Sequence, residues 1–162
     1  MGPQRLARDL GITMGEAKEL IASYFGRFPK IRAYIDGTIA RAERDGFVST
    51  LFGRVRRFPE LSSTSRFQRQ LAVRQAVNST IQGTAADLMK IAMVRLHRLL
   101  RERGLAARLL IQVHDELVLE SPTAELPALE EAIREAMETI PPFTVPLTVD
   151  IASGPDWLAA KP

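Results

Sequence analysis

No cysteine occurs in the 162 residues, so no disulfide framework and no thiolate metal site is possible. No apolar run is long enough to span a bilayer, and no basic start leads into an apolar segment that would mark a signal peptide. Low-complexity tracts and internal repeats are also missing. Cytoplasm is the default location that these absences leave. Lysine is scarce: of 22 basic residues 18 are Arg and 4 are Lys, which favours forked contacts to phosphate over diffuse point charge.

What is present suits a folded domain. Apolar residues make up 46% and charged residues 25%, close to the globular average, and the length suffices for one domain or two small lobes. The net charge of +3 conceals a strong asymmetry. Residues 1 to 110 hold 20 Lys or Arg against 9 Asp or Glu, whereas residues 111 to 162 hold 2 against 10. An arginine-heavy front with an acidic tail suits a polyanion on one side and a metal or a solvated face on the other.

Taken in order, Gly2-Pro3 opens a short helix that Gly11 ends, and Thr13 with Glu16 forms a capping box for a helix running to about Tyr24. Its residues Ala17, Leu20, Ile21 and Tyr24 share a face and are expected in the core. Pro29 starts the next helix, with Ile31, Tyr34, Ile35, Thr38 and Ile39 along one side and Gly46 at its end. Phe47–Leu51 and Val55–Phe58 then flank a hairpin tip at Phe52-Gly53-Arg54. Arg54, Arg56 and Arg57 make this the most basic point of the chain, either as phosphate contacts or as a charged, soluble edge.

A long helical region is predicted from about Ser65 to Arg103, broken or bent near Gly83. Arg74, Asn78 and Gln82 recur every four residues, within about 80° of one another around the axis. Such donors are either a solvent face or a set that tests the acceptors every base pair presents in the minor groove. Leu88, Ile91, Ala92, Leu96 and Leu99 read as core, Met89 and Met93 as gap-fillers, and His97 as a surface or partly buried residue without metal-ligand spacing.

After Gly104, the alternation of Leu109, Ile111 and Val113 with the return Leu117–Leu119 predicts a second β-hairpin. His114, Asp115 and Glu116 form its tip. Paired carboxylates on a rigid turn are a candidate divalent-metal site, although acidic residues are also common in ordinary solvated turns. A helix over Ala124–Glu138 ended by Pro141-Pro142, a strand over Val145–Ile151 and an anchor at Trp157-Leu158 complete the expectation. The order is that of an α+β fold.

Two stretches carry a specific resemblance. Gln82-Gly83-Thr84-Ala85-Ala86-Asp87-Leu88-Met89-Lys90 and Val113-His114-Asp115-Glu116-Leu117 resemble the C-terminal signatures of family A DNA polymerases. Tyr24-Phe25 through Phe28-Pro29, Thr50–Arg54 and Asp156-Trp157-Leu158 are similar to that family as well, so the likeness covers essentially the whole chain. It implies a helical fingers remnant and a long connecting helix packed on a small antiparallel palm sheet. Residues 1–104 would be the later fingers and fingers-to-palm helices, and 105–162 the C-terminal part of the palm. Asp115 would be a metal-binding catalytic carboxylate with Glu116 as its supporting acid. His114 would lie near the primer terminus, and Arg74, Asn78 and Gln82 would contact the primer-template minor groove and the nascent pair.

The implied chemistry is DNA-directed DNA synthesis for replication and repair. Two Mg²⁺ ions about 4 Å apart would activate the primer 3′-hydroxyl and stabilise the leaving pyrophosphate of a deoxynucleoside triphosphate. The family's other essential aspartate, in a motif resembling Asp-Tyr-Ser-Gln-Ile-Glu, does not occur here, nor does the fingers helix that ends in Tyr-Gly. The expectation is therefore a C-terminal fragment, inactive alone, whose partners are primer-template DNA, nucleotides and the missing N-terminal part of the polymerase, with no membrane. The alternative is a non-catalytic DNA-binding module.

Overall fold

A computed structural model describes residues 2–141 and 143–160. Its elements are α1 (Pro3–Leu10), α2 (Met14–Arg27), α3 (Pro29–Asp45), β1 (Phe47–Ser49), β2 (Val55–Arg57), α4 (Arg66–Glu102), β3 (Arg108–Val113), β4 (Glu116–Glu120) and α5 (Leu126–Glu138), with 3-10 turns at Pro59–Ser62 and Thr123–Glu125. The strands form two separate antiparallel pairs, β1-β2 and β3-β4, and with the helices they give the expected α+β class. Two compact units divide inside α4: Met1–Gly83 and Thr84–Pro162.

In the first unit the capping box forms as its spacing requires. The Glu16 N–H donates to Thr13 Oγ1 at 3.3 Å, and the Thr13 N–H donates to Glu16 Oε2 at 2.8 Å. The Thr13 backbone and hydroxyl hydrogen bonds hold the Glu16 carboxyl below its ordinary range. Further along, Ala42, Val48, Phe58, Leu61, Ala72 and Ala76 make a core that ties α3, the β1-β2 hairpin and α4 together. The helical stripes before it are less buried than their periodicity suggested. Of the α2 face only Ala17 is buried, while Leu20 and Tyr24 are exposed; on α3, Thr38 is buried but Ile31 and Tyr34 are exposed. Spacing shows that side chains share a stripe, and says nothing about whether another element covers it.

Helix α4 runs unbroken for 37 residues, so Gly83 does not interrupt it. The glycine serves close approach instead. A Cβ at Gly83 would lie 2.7 Å from Thr50 Cγ2, and Thr50 cannot simply rotate away because its Oγ1 accepts the Arg54 N–H at 3.1 Å. Gly83→Ala should therefore cost about 1 kcal/mol net, overpacking of roughly 1–3 kcal/mol being partly offset by about 1 kcal/mol of helix propensity. In a Thr50→Ser background, which keeps the hydroxyl and removes the methyl, the same change should become neutral or stabilising. Urea midpoints for the four proteins check this.

The second unit packs Leu96 and Leu100 of α4 against Ala107 and against Leu129, Ala132, Ile133 and Ala136 of α5. Leu109, Leu117 and Leu119 bring the β3-β4 hairpin onto that cluster. Pro127 is accommodated in the first turn of α5. The helix ends at Glu138, ahead of Pro141; Pro142, read as part of the stop, lies outside the described residues.

Three expectations fail here. No strand forms over 145–151. Pro146 has no N–H to give, and the backbone of Val149 is occupied by α5: its N–H donates to Glu138 Oε1 at 2.9 Å and its carbonyl accepts from Arg134 Nη1 at 3.2 Å. Val149 and Ile151 still pack on the core. The alternation in β3 is also interrupted, because a bulge between Leu109 and Ile111 resets the pleat and leaves both Leu110 and Ile111 exposed. Finally, of the expected Trp157-Leu158 anchor, Leu158 is 84% exposed and takes no part.

Candidate functional site

Within the first unit, α4 presents two contrasting faces. Ala72, Ala76 and Ser79 are buried, and with Gly83 they make a small-residue stripe on which the β1-β2 hairpin sits. Arg74, Asn78 and Gln82 are all exposed on the other side, one per turn. Behind that face the helix is tied to α3. Tyr34 of α3 bonds Thr80 Oγ1 at 2.7 Å, and the Thr80 hydroxyl donates on to the Val77 carbonyl at 2.8 Å.

The hairpin is fastened to the same helix. Arg56 Nη1 donates to Ser79 Oγ at 2.9 Å, and its guanidinium lies 5.0 Å from the centre of the Phe58 ring. Gly53 turns the tip with φ of +84°, and its N–H donates to the Thr50 carbonyl at 3.0 Å. As a result Thr50, Arg54, Arg56, Ser79, Gln82 and Gly83 line one groove of about 230 Å³. Of the hairpin arginines, Arg54 and Arg56 thus share a groove with Gln82, and Arg57 is exposed on β2. The structural parts of Thr50, Ser79 and Gly83 were missed in the sequence. The signal was there, in small residues recurring every three or four positions from Ala72.

In the second unit the tip of the β3-β4 hairpin carries the carboxylates. Val113 pairs with Glu116, so His114 and Asp115 are the two turn residues. His114 takes a left-handed φ of +53°, and Gln112 Nε2 donates to its carbonyl at 3.1 Å, which fixes the turn. Asp115 and Glu116 are exposed, and neither side chain has a hydrogen bond or ion pair to another of the described residues. Their oxygens are free donors of the hard type that Mg²⁺ takes, alongside waters it does not readily give up. No cluster of three or more His, Cys, Asp or Glu suited to a metal exists among the described residues. This donor pair fits one edge of a divalent-cation site and cannot complete one.

The model of DNA polymerase family A matches residues 1–159. The chain belongs to DNA polymerase family A. The thermostable DNA polymerase I of Thermus aquaticus is 48% identical over 161 residues, covering 99% of this chain and 19% of that protein. DNA polymerase I of Bacillus subtilis is 45% identical over 156 residues, covering 96% and 18%. Among solved structures, the POL domain of Pol1 from M. smegmatis, in complex with DNA primer-template and dNTP, aligns with a TM-score of 0.94 at 42% identity, over 98% of this chain and 28% of that one. The chain therefore spans about a fifth of the length of these curated family A relatives.

Proposed function

We propose that this chain is the part of a family A DNA polymerase that holds the primer-template and supplies one edge of a metal-dependent nucleotidyl-transfer site, without catalysing alone. In this reading residues 1–104 are the later fingers and connecting helices and 105–162 the end of the palm. The observation that carries it is the exposed Arg74-Asn78-Gln82 row. Amide and guanidinium donors at one-turn intervals suit the minor groove, where A·T and T·A pairs offer the same acceptors and every pair offers some, so pairing geometry is felt with little regard to sequence.

At the hairpin, Asp115 takes a divalent cation, most simply Mg²⁺, with Glu116 beside it, and His114 faces the primer terminus. The cation supplies charge neutralisation at the reacting phosphate and activation of the primer hydroxyl. Asp115 holds that charge in place, and the left-handed turn at His114 presents its carboxylate outward. The second aspartate, the nucleotide-binding fingers helix and the rest of the polymerase come from beyond this chain. Replication and repair in the cytoplasm are the corresponding setting.

Binding of the chain to labelled primer-template tests the reading. Asn78→Ala with Gln82→Ala should weaken it about 30-fold, roughly 1 kcal/mol for each lost set of groove contacts. Neither residue is charged, so the salt dependence should not change. Binding indifferent to both substitutions would remove the minor-groove assignment, and vigorous primer extension by the chain alone with Mg²⁺ and all four nucleotides would remove the claim that it is catalytically incomplete.

A further inference from the structure

The Arg74-Asn78-Gln82 row can test pairing geometry only as far as α4 stays in place when a base pair presents its acceptors wrongly. What resists such a shift lies on the back of the helix. On one flank the β1-β2 hairpin is fastened to α4 by the Arg56–Ser79 hydrogen bond and by the close approach of Thr50 to Gly83. Those groups line the same groove as Gln82, within reach of anything bound there. The fastening to α3 is of a different kind. The Tyr34 and Thr80 hydroxyl oxygens lie 2.7 Å apart, and Thr80 Oγ1 donates to the Val77 carbonyl at 2.8 Å. A threonine hydroxyl has a single proton, so Thr80 accepts from Tyr34 while it donates to Val77.

The position of this tie matters as much as its chemistry. At about 100° per residue Thr80 lies about 180° from the midpoint of Asn78 and Gln82, directly behind the row. The turn Val77–Thr80 that its hydroxyl closes contains Asn78 itself. Tyr34 stands eight residues before Ala42 on α3, and Thr80 four after Ala76 on α4, so the bond forms beyond the core cluster in which those alanines sit.

We propose that Tyr34 and Thr80 are positioning residues that set how strictly the row discriminates a mispaired primer-template from a matched one, a role that rests on the minor-groove reading of that row. With correct pairs the acceptors meet the donors where the helix already stands, and the tie is not stressed. A mispair displaces its acceptors. An untied α4 shifts to follow them and regains the contacts, whereas a tied one either keeps its place and loses them or shifts and loses the tie. The tie thus adds to the cost of accommodating a mispair, by no more than its own worth. For a net protein hydrogen bond that corresponds to about two- to tenfold in an equilibrium constant.

Binding of the chain to labelled primer-templates, matched throughout or carrying one mispair at successive positions from the primer end, tests this. Tyr34→Phe and Thr80→Val should each leave matched affinity within about twofold and tighten mispaired binding, so that discrimination falls by about two- to tenfold. Thr80→Ser, which keeps the hydroxyl, should retain wild-type discrimination. Tyr34→Phe/Thr80→Val should do no more than Thr80→Val alone, because both changes act on one bond. General softening of the fold would weaken matched and mispaired binding together; that result, or unchanged discrimination in Tyr34→Phe, would overturn the proposal.

Asn78→Ala/Gln82→Ala separates failure of the tie from failure of the row. If it abolishes discrimination while Tyr34→Phe leaves it intact, the row stands and the tie is overturned. If discrimination survives it but falls in Tyr34→Phe, the tie does not act through the row, which overturns the proposal as well. A wild-type chain that binds neither duplex, or both alike, overturns row and tie together.

Discussion

Asp115→Asn is expected to lower primer extension about a thousandfold when this chain replaces the matching segment of the Thermus aquaticus polymerase. The substitution is nearly isosteric and sits at an exposed hairpin turn, so it removes charge without disturbing a core. Losing one anionic ligand weakens cation binding where negative charge develops, and metal stabilisation of such transition states amounts to several kcal/mol. A thousandfold corresponds to about 4 kcal/mol. Glu116→Gln, beside the proposed metal ligand, should cost roughly 10- to 100-fold, the usual range for groups that support a ligand. Primer-template affinity should be nearly unchanged in both variants, since neither carboxylate attracts phosphate directly. Single-turnover extension, with DNA binding measured alongside, checks this; a wild-type rate for Asp115→Asn would show that the hairpin tip is an ordinary solvated turn.

The second large effect is structural. Leu96→Ala should destabilise the second unit by about 3–5 kcal/mol, because Leu96 is 0% exposed and its loss leaves a cavity between α4 and α5. Domains of this size are stable by only about 5–15 kcal/mol in total, and small ones lie at the low end. The same cluster supports Leu109, Leu117 and Leu119, so the hairpin that presents Asp115 should loosen with it. Hydrogen exchange of the β3 and β4 amides should accelerate together, and the denaturation midpoint should fall. Leu96→Met, which conserves volume, should cost less than about 1.5 kcal/mol. Independent exchange of hairpin and core would break the link.

These two sites were not equally legible. The acidic tip could be read from two apolar runs meeting at a polar turn; the structure makes His114 and Asp115 the two turn residues and Glu116 the first residue of β4. Leu96 was legible as core from helical spacing. The same periodicity misled on α2, where Leu20 and Tyr24 lie on a stripe that no neighbour buries. It also failed over 145–151, where the apolar pattern suits a strand but Glu138 and Arg134 take the backbone groups of Val149.

By itself the sequence determined what depends on neighbours along the chain: the capping box at Thr13, the hairpin turns at Gly53 and His114, the length of α4, the row of donors on it and the motifs that mark the family. Hydrogen bonds between residues a few positions apart, and periodicity along one element, are local properties. Tertiary structure alone decided that Gly83 admits Thr50, that Arg56 is tied to Ser79, and that Glu43 lines one groove with Arg66, Arg69 and Arg74. Those depend on which elements approach and how closely, and distances of that kind are set by the packing of small residues between helix and hairpin, which no spacing within a single element encodes.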